Sequence, residues 1–176
     1  MKFDALFLDR DGIINKDIGY ISNVSDLHLC EGFVTFIGCV IEHFSKVFIV
    51  TNQSGVAREY FSLSTAFQIQ EETIRLLSER GVTIDDWRMC PHFPGSGTNV
   101  FSQQCSCRKP ATGMIDDLVA TYKVARDASI MIGDKASDIQ LASNAQLQAG
   151  FLVESCSCPN CSAERFFRIQ RYIEGC

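Results

Sequence analysis

Apolar residues fall in short blocks along the chain, and polar residues cut each block off abruptly. Phe3 to Leu8 is the first, interrupted only by Asp4, and it ends at Asp9-Arg10-Asp11-Gly12. That pattern predicts a buried strand running into a polar loop. Phe33, Val34, Phe36, Ile37, Val40, Ile41 and Phe44 then recur at spacings of three and four, the period of an amphipathic helix lying on a sheet. Residues 47–50 repeat the strand pattern and run into Thr51-Asn52-Gln53-Ser54-Gly55. Strand, helix and strand together make a βαβ unit.

The alternation continues. Ser64 predicts the N-cap of a second helix that carries Phe67, Ile74, Leu76 and Leu77 on one face and stops at Gly81. A third strand is expected around residues 84–89. Residues 93–104 contain Pro94, Gly95 and Gly97 without a period and read as a loop. Met114, Ile115, Leu118, Val119 and Tyr122 predict a further helix, residues 130–132 a fourth core strand ending at Gly133-Asp134, and Phe166, Ile169 and Ile173 a short terminal helix. Apolar strands alternating with helices predict an α/β fold with three layers, a parallel sheet flanked by helices on both faces in the Rossmann manner. No repeat, low-complexity tract or linker divides it, so residues 1–176 read as one domain. In such sheets a ligand sits beyond the carboxyl ends of the strands, which directs attention to residues 9–12, 51–55, 90–92 and 133–138.

Composition narrows the function classes. At 176 residues, 46% apolar and 21% charged, the chain suits one globular domain and not a disordered, collagen-like or coiled-coil protein. No run approaches 18 apolar residues, and Asp4 and Asp9 interrupt the N-terminal block, so neither a membrane span nor a secretory signal is expected and the cytoplasm is the expected compartment. A net charge of −5 provides no footprint for nucleic acid or an anionic membrane. A small-molecule substrate and a monomer are the expectation. Nine cysteines cannot all pair within one chain, and in an unexported protein metal ligation or free thiols come before disulfides.

The polar strand ends carry the candidate chemistry. Asp9 and Asp11 are two apart at a strand end, where a period of two would aim both side chains one way and Arg10 the other. Converging carboxylates repel unless a cation or proton lies between them. An isolated Asp-x-Asp is often only a solvated turn, but Asp134 at the fourth strand tip adds a second acidic group. Asp138, one turn on, also reads as an ordinary helix-start carboxylate. Hard oxygen ligands from two strand tips suit Mg²⁺, which takes further ligands from water and phosphate. Thr51 and Asn52 offer donors for a phosphate, and Arg108 and Lys109 offer charge; Pro110 favours an extended Lys109. Cys90-Pro91-His92 and Cys105-Ser106-Cys107 supply a Cys₃His set of the kind that closes around structural Zn²⁺. Cys156, Cys158, Cys161 and Cys176 lie in an atypical tail over residues 154–176, where free thiols are preferred to a second metal site. His28 and His43 have no comparable neighbours.

These motifs, in this order, resemble those of the haloacid dehalogenase superfamily of phosphatases: Asp9-Arg10-Asp11-Gly12, Thr51-Asn52-Gln53-Ser54-Gly55, Lys109-Pro110 and Gly133-Asp134-Lys135-Ala136-Ser137-Asp138. The resemblance spans residues 3 to about 153. The zinc loop over residues 90–107 is similar to that of the branch shared by histidinol phosphatases and heptose bisphosphate phosphatases. The long spacing inside it, Gly19-Tyr20 and Gly113-Met114 favour the heptose side. The resemblance implies a fold without a large cap domain and an Asp9 nucleophile forming an aspartyl-phosphate, with Asp11 as an acid and base whose pKa is tuned towards neutrality. It also implies Mg²⁺ on Asp9, the Asp11 carbonyl and Asp134, with Thr51 and Lys109 on the transferring oxygens. Asp17, Ile18, Gly19, Tyr20, Asn52, Gln53, Ser54, Arg108 and Lys135 would bind the substrate.

The substrate so implied is D-glycero-D-manno-heptose 1,7-bisphosphate, converted to the 1-phosphate, with histidinol phosphate or another small phosphomonoester as the alternative. A zinc-stabilised binding module is the reading from a different class. Converging carboxylates have no evident use in a pure binding role.

Overall fold

The computed structural model describes residues 2–156 and 163–175. Its frame is a five-stranded parallel sheet built from β1 (Phe3–Leu8), β2 (Phe44–Asn52), β3 (Asp86–Cys90), β4 (Ser129–Gly133) and β5 (Ala149–Leu152), in the order β3-β2-β1-β4-β5. Helices α1 (Glu31–Val40), α2 (Leu63–Ser78), α3 (Gly113–Tyr122), α4 (Ala136–Asn144) and α5 (Phe167–Glu174) complete the alternation. Neighbouring residues of the central strands serve opposite faces, as a period of two requires. Leu6, Leu8, Val47, Ile49, Ile130 and Ile132 join the core under α1 and α5. Ala5, Phe7, Phe48, Val50 and Met131 join the core under α3 and α4.

Several boundaries differ from the sequence expectation. The first helix ends at Val40 and passes into a 3₁₀ turn over Ile41–His43. The second is capped by Ser62, whose hydroxyl accepts from the Thr65 amide, and not by Ser64. Its buried face is Ala66, Ile69, Gln70, Thr73 and Leu77, while Phe67 is exposed. The edge strand β5 is absent from the sequence expectation: Ala149–Leu152 is apolar but short, carries Gly150 in its middle and is only partly buried.

The described part of the tail joins the core. Phe166 stacks on Phe36 at 4.5 Å between ring centroids and meets Phe33 edge-on, and Ile169 and Ile173 are buried beside it. An aromatic pair of this kind adds about 0.5–1.5 kcal/mol beyond its buried area. Cys156 does not remain a free thiol or a metal ligand: it is bonded to Cys30, the N-cap residue of α1. The two are 126 positions apart in sequence with Cα atoms 6.3 Å apart, a proximity that only the tertiary fold creates. The free thiol expected at Cys156 is thus corrected, the alternative second metal site loses one member, and Cys158, Cys161 and Cys176 lie outside the described residues.

Candidate active site

The carboxyl ends of β1, β2 and β4 converge on a polar cavity of about 390 Å³ lined by Asp11, Asp17, Gly19, Tyr20, Asn52, Gln53, Ser54, Arg108, Lys109, Lys135 and Ser137. Asp9 lies just past the end of β1 and is held there by its amide, which donates to the Ile132 carbonyl of β4 at 3.0 Å. Its carboxylate accepts from the Arg10 amide at 2.7 Å and faces Lys109 Nζ at 2.8 Å. Burial raises the Asp9 pKa to about 6 against the pull of Lys109, with Asp138 and Asp11 adding repulsion.

Lys109 is itself buried. Nζ reaches Asp138 Oδ1 at 2.7 Å as well as Asp9, and donates to the Val50 carbonyl at 3.0 Å. Burial works against its charge, but Asp9 and Asp138 outweigh it and the pKa is raised. Asp138 is thus more than a helix-start carboxylate. It is fully buried, its second oxygen accepts from the Lys135 amide at 3.0 Å, and a Cβ on Gly133 would overlap it, so only glycine lets it lie against that backbone.

Asp134 completes an acidic cluster in which one carboxylate oxygen each from Asp9, Asp134 and Asp138 lie within 4.8 Å of one another. Burial raises the Asp134 pKa, and Oδ1 is buried without a hydrogen-bond donor, its nearest cation being Lys135 Nζ at 3.9 Å. Gly12 has φ +85° and packs its backbone against the Asp134 carboxylate where any Cβ would overlap. Three buried carboxylates facing one buried ammonium leave excess negative charge. A hard divalent cation between Asp9 and Asp134, whose Oδ1 has no donor, fits that excess and the orphaned oxygen.

Asp11 departs from expectation in two ways. Arg10 does not face elsewhere: it is buried and grips the Asp11 carboxylate through Nε at 3.0 Å and Nη2 at 3.1 Å. Asn15 Nδ2 and Gln53 Nε2 donate to the same group at 2.9 and 2.6 Å. Burial opposes ionisation, but Arg10 and these donors prevail, and the pKa is lowered and not tuned towards neutrality. Arg10, Asn15, Asp138 and the cavity-lining Ser137 are the site residues that sequence reasoning did not select.

The remaining positions divide by what they touch. Thr51 is buried and accepts from Gln53 Nε2 at 2.9 Å. Asn52 exchanges two hydrogen bonds with the Lys109 backbone, which fixes that residue before its side chain enters the site. Lys135 reaches Asp17 at 3.3 Å, and Asp17 accepts from the Gly19 amide. Ile18 is exposed and does not line the cavity.

Cys90, His92, Cys105 and Cys107 come together immediately before Arg108. Their sulfurs are 3.1–3.5 Å apart and His92 Nδ1 is 3.3 Å from Cys107. Ligands about 2.3 Å from one tetrahedral ion lie roughly 3.8 Å apart, so the four side chains could hold a metal with a modest expansion. Burial pushes the Cys90 thiol up, which favours the neutral form until a cation is present.

The profile of HAD-hydrolase-like proteins matches residues 106–164. The D-glycero-alpha-D-manno-heptose-1,7-bisphosphate 7-phosphatase of Photorhabdus laumondii is 36% identical over 88% of this chain and 84% of its own length. The beta-anomer 7-phosphatase of the same organism is also 36% identical, over 92% of this chain and 86% of its own. The crystal structure of D,D-heptose 1,7-bisphosphate phosphatase from B. bronchiseptica, complexed with magnesium and phosphate, superposes with a TM-score of 0.77 at 28% identity and covers 96% of this chain and 99% of that one. Among the described residues no helix is long and apolar enough to cross a membrane.

Proposed function

We propose, for a chain that belongs to the heptose-1,7-bisphosphate 7-phosphatase family of haloacid dehalogenase-like hydrolases, a Mg²⁺-dependent phosphomonoesterase that removes the 7-phosphate of D-glycero-D-manno-heptose 1,7-bisphosphate and leaves the 1-phosphate. The observation that carries this reading is Asp9, buried between Lys109 and the Asp134 carboxylate, beside a cavity in which Arg108 and Lys135 stand as further cations. Asp9 attacks phosphorus and forms the aspartyl-phosphate, which divides one difficult displacement into two. Mg²⁺ held by Asp9, the Asp11 carbonyl and Asp134 would supply charge neutralisation for the incoming phosphate. Lys109 and Thr51 face the transferring oxygens, with Asp138 keeping Lys109 charged and in place.

Asp11 begins as a carboxylate, the form that takes a proton from the water cleaving the aspartyl-phosphate. A phosphate dianion placed against it raises its proton affinity, so that on substrate binding it takes up a proton from solvent; it gives this proton to the leaving sugar oxygen first, and the carboxylate so restored is the form that later deprotonates the water. Phosphate release from both anomers of the heptose bisphosphate, from histidinol phosphate and from phenyl phosphate, each with and without Mg²⁺, tests the proposal. The heptose bisphosphate is expected to give the highest kcat/KM. Faster turnover of histidinol phosphate would overturn the substrate, and no release from any of them would overturn the enzyme.

The metal of the Cys90, His92, Cys105 and Cys107 set is structural Zn²⁺ in this reading, pinning a loop with little core of its own. Cys107→Ser, or chelation strong enough to strip the loop, is expected to lower thermal stability and activity together, because a structural site contributes folding energy directly. Added Mg²⁺ should restore neither. Purified protein without stoichiometric zinc by metal analysis would refute this.

Arg108 grips the second phosphate with a planar fork that Lys cannot reproduce. Arg108→Ala is accordingly expected to reduce kcat/KM for the bisphosphate by roughly ten- to a hundredfold, the size of a charge-assisted contact, with a much smaller loss for phenyl phosphate. Equal losses on the two substrates would mean that Arg108 serves the transferred group instead.

A further inference from the structure

We infer that Phe93 is a positioning residue for substrate discrimination: its ring fixes the plane of the Arg108 guanidinium. The inference rests on the reading of Arg108 as the contact for the second phosphate. Arg108 follows the last cysteine of the metal loop and lines the cavity, yet among the described residues no carboxylate forms an ion pair with it to set its direction. Two contacts set it instead. Nη1 donates to the His92 carbonyl at 3.1 Å, and the guanidinium carbon lies 4.7 Å from the centroid of the Phe93 ring. Both anchors come from the opposite end of the metal loop, adjoining the His92 ligand position.

The ring is itself secured. The guanidinium of Arg58 lies over it at 4.0 Å, and the Phe93 amide donates to the Phe101 carbonyl at 3.1 Å. Asn99, on the same loop, donates to the Ala57 carbonyl at 2.9 Å and to Glu59 at 3.1 Å, which ties the loop tip to the segment that carries Arg58. A guanidinium stacked on an aromatic face keeps its edge N–H groups free for an anion, whereas a carboxylate partner would consume them and cancel the charge. That is the requirement for binding a phosphate that remains on the sugar. It also explains why a cation is held here by a ring and a carbonyl.

The test is a double-mutant cycle in the full chain with Mg²⁺ and with its loop metal retained, using Phe93→Leu, Phe93→Trp, Arg108→Ala and the double variant Phe93→Leu/Arg108→Ala. Phe93→Leu keeps an apolar side chain and removes the ring. It is expected to raise KM for the heptose bisphosphate by about three- to tenfold, the range of a cation–ring contact. Its kcat on that substrate and its phenyl phosphate kinetics should stay within about twofold, and Phe93→Trp should restore the KM. The double variant should lose no more than Arg108→Ala alone, because the ring acts only through the guanidinium.

Equal loss on both substrates would show a general structural role and overturn the inference, as would no loss on either or additive losses in the double variant. Arg108→Ala separates this failure from that of the underlying reading. If Arg108→Ala discriminates between the substrates and Phe93→Leu does not, only the positioning role falls. If Arg108→Ala itself does not discriminate, the second-phosphate contact falls and takes this inference with it.

Discussion

Asp9→Asn is expected to leave a folded protein that turns over the heptose bisphosphate several orders of magnitude more slowly than the wild type, the scale of losing a covalent nucleophile. The substitution is nearly isosteric, so the amide can keep the contacts that place this side chain, to the Arg10 amide and to Lys109. It also removes a buried carboxylate whose pKa burial has already raised to about 6. Folding therefore gains from the change while chemistry loses. Stopped-assay phosphate release together with a denaturation curve checks both halves. A variant keeping more than a tenth of the wild-type rate would remove Asp9 from the role of nucleophile.

Lys109→Ala is expected to damage both fold and turnover. The rate on the bisphosphate and on phenyl phosphate should fall alike, by about a hundred- to a thousandfold, because the lost charge faces the phosphoryl group common to both. Stability should fall by about 3–5 kcal/mol, the cost of removing one partner from a buried ion pair, since Asp9 and Asp138 are both left without their ammonium. Adding Asp138→Asn removes one of the stranded charges. The double variant should regain part of the stability and none of the activity. Wild-type turnover in Lys109→Ala, or an additive loss of stability on adding Asp138→Asn, would show that the three side chains do not act as a unit.

The parts of the fold that the sequence disclosed are those in which burial is complete. Strands β1, β2 and β4 are covered on both faces over most of their length, so each carries a nearly continuous apolar run that ends where the polar loops begin. β5 lies at the sheet edge, is only partly buried and carries Gly150 in the middle of its short apolar run. The same logic applies within the site. Asp9, Asp134 and Lys109 stand at strand tips or in a recognisable motif, and reading position by position locates them. Arg10 and Asp138 escaped because their direction is set after the strand or helix rule stops applying. β1 ends at Leu8, so the alternation that would have sent Arg10 away from Asp11 no longer governs that residue. Asp138 finds its partner on the chain segment after the metal loop, a pairing that no spacing within its own helix announces. The Cys30 and Cys156 bond is invisible for the same reason.

The position of β1 in the sheet bears on the order in which the molecule is assembled. It precedes the four other strands of the sheet in the chain and lies at the centre, pairing with β2 on one side and on the other with β4, whose residues begin only at Ser129. A chain emerging from the ribosome can dock β2 and β3 early, but the other edge of β1 stays open until β4 has been made. Asp9 is likewise made long before Lys109 and Asp138, the groups that neutralise and enclose it. Nascent chains that stop short of β4 thus carry an unpaired strand edge and an uncompensated carboxylate at the future centre of the protein, the features that expose an incomplete fold to aggregation and to chaperones. Completion of the active site and completion of the fold are consequently one late event, and the enzyme acquires its nucleophile's surroundings only when nearly the whole sheet is in place.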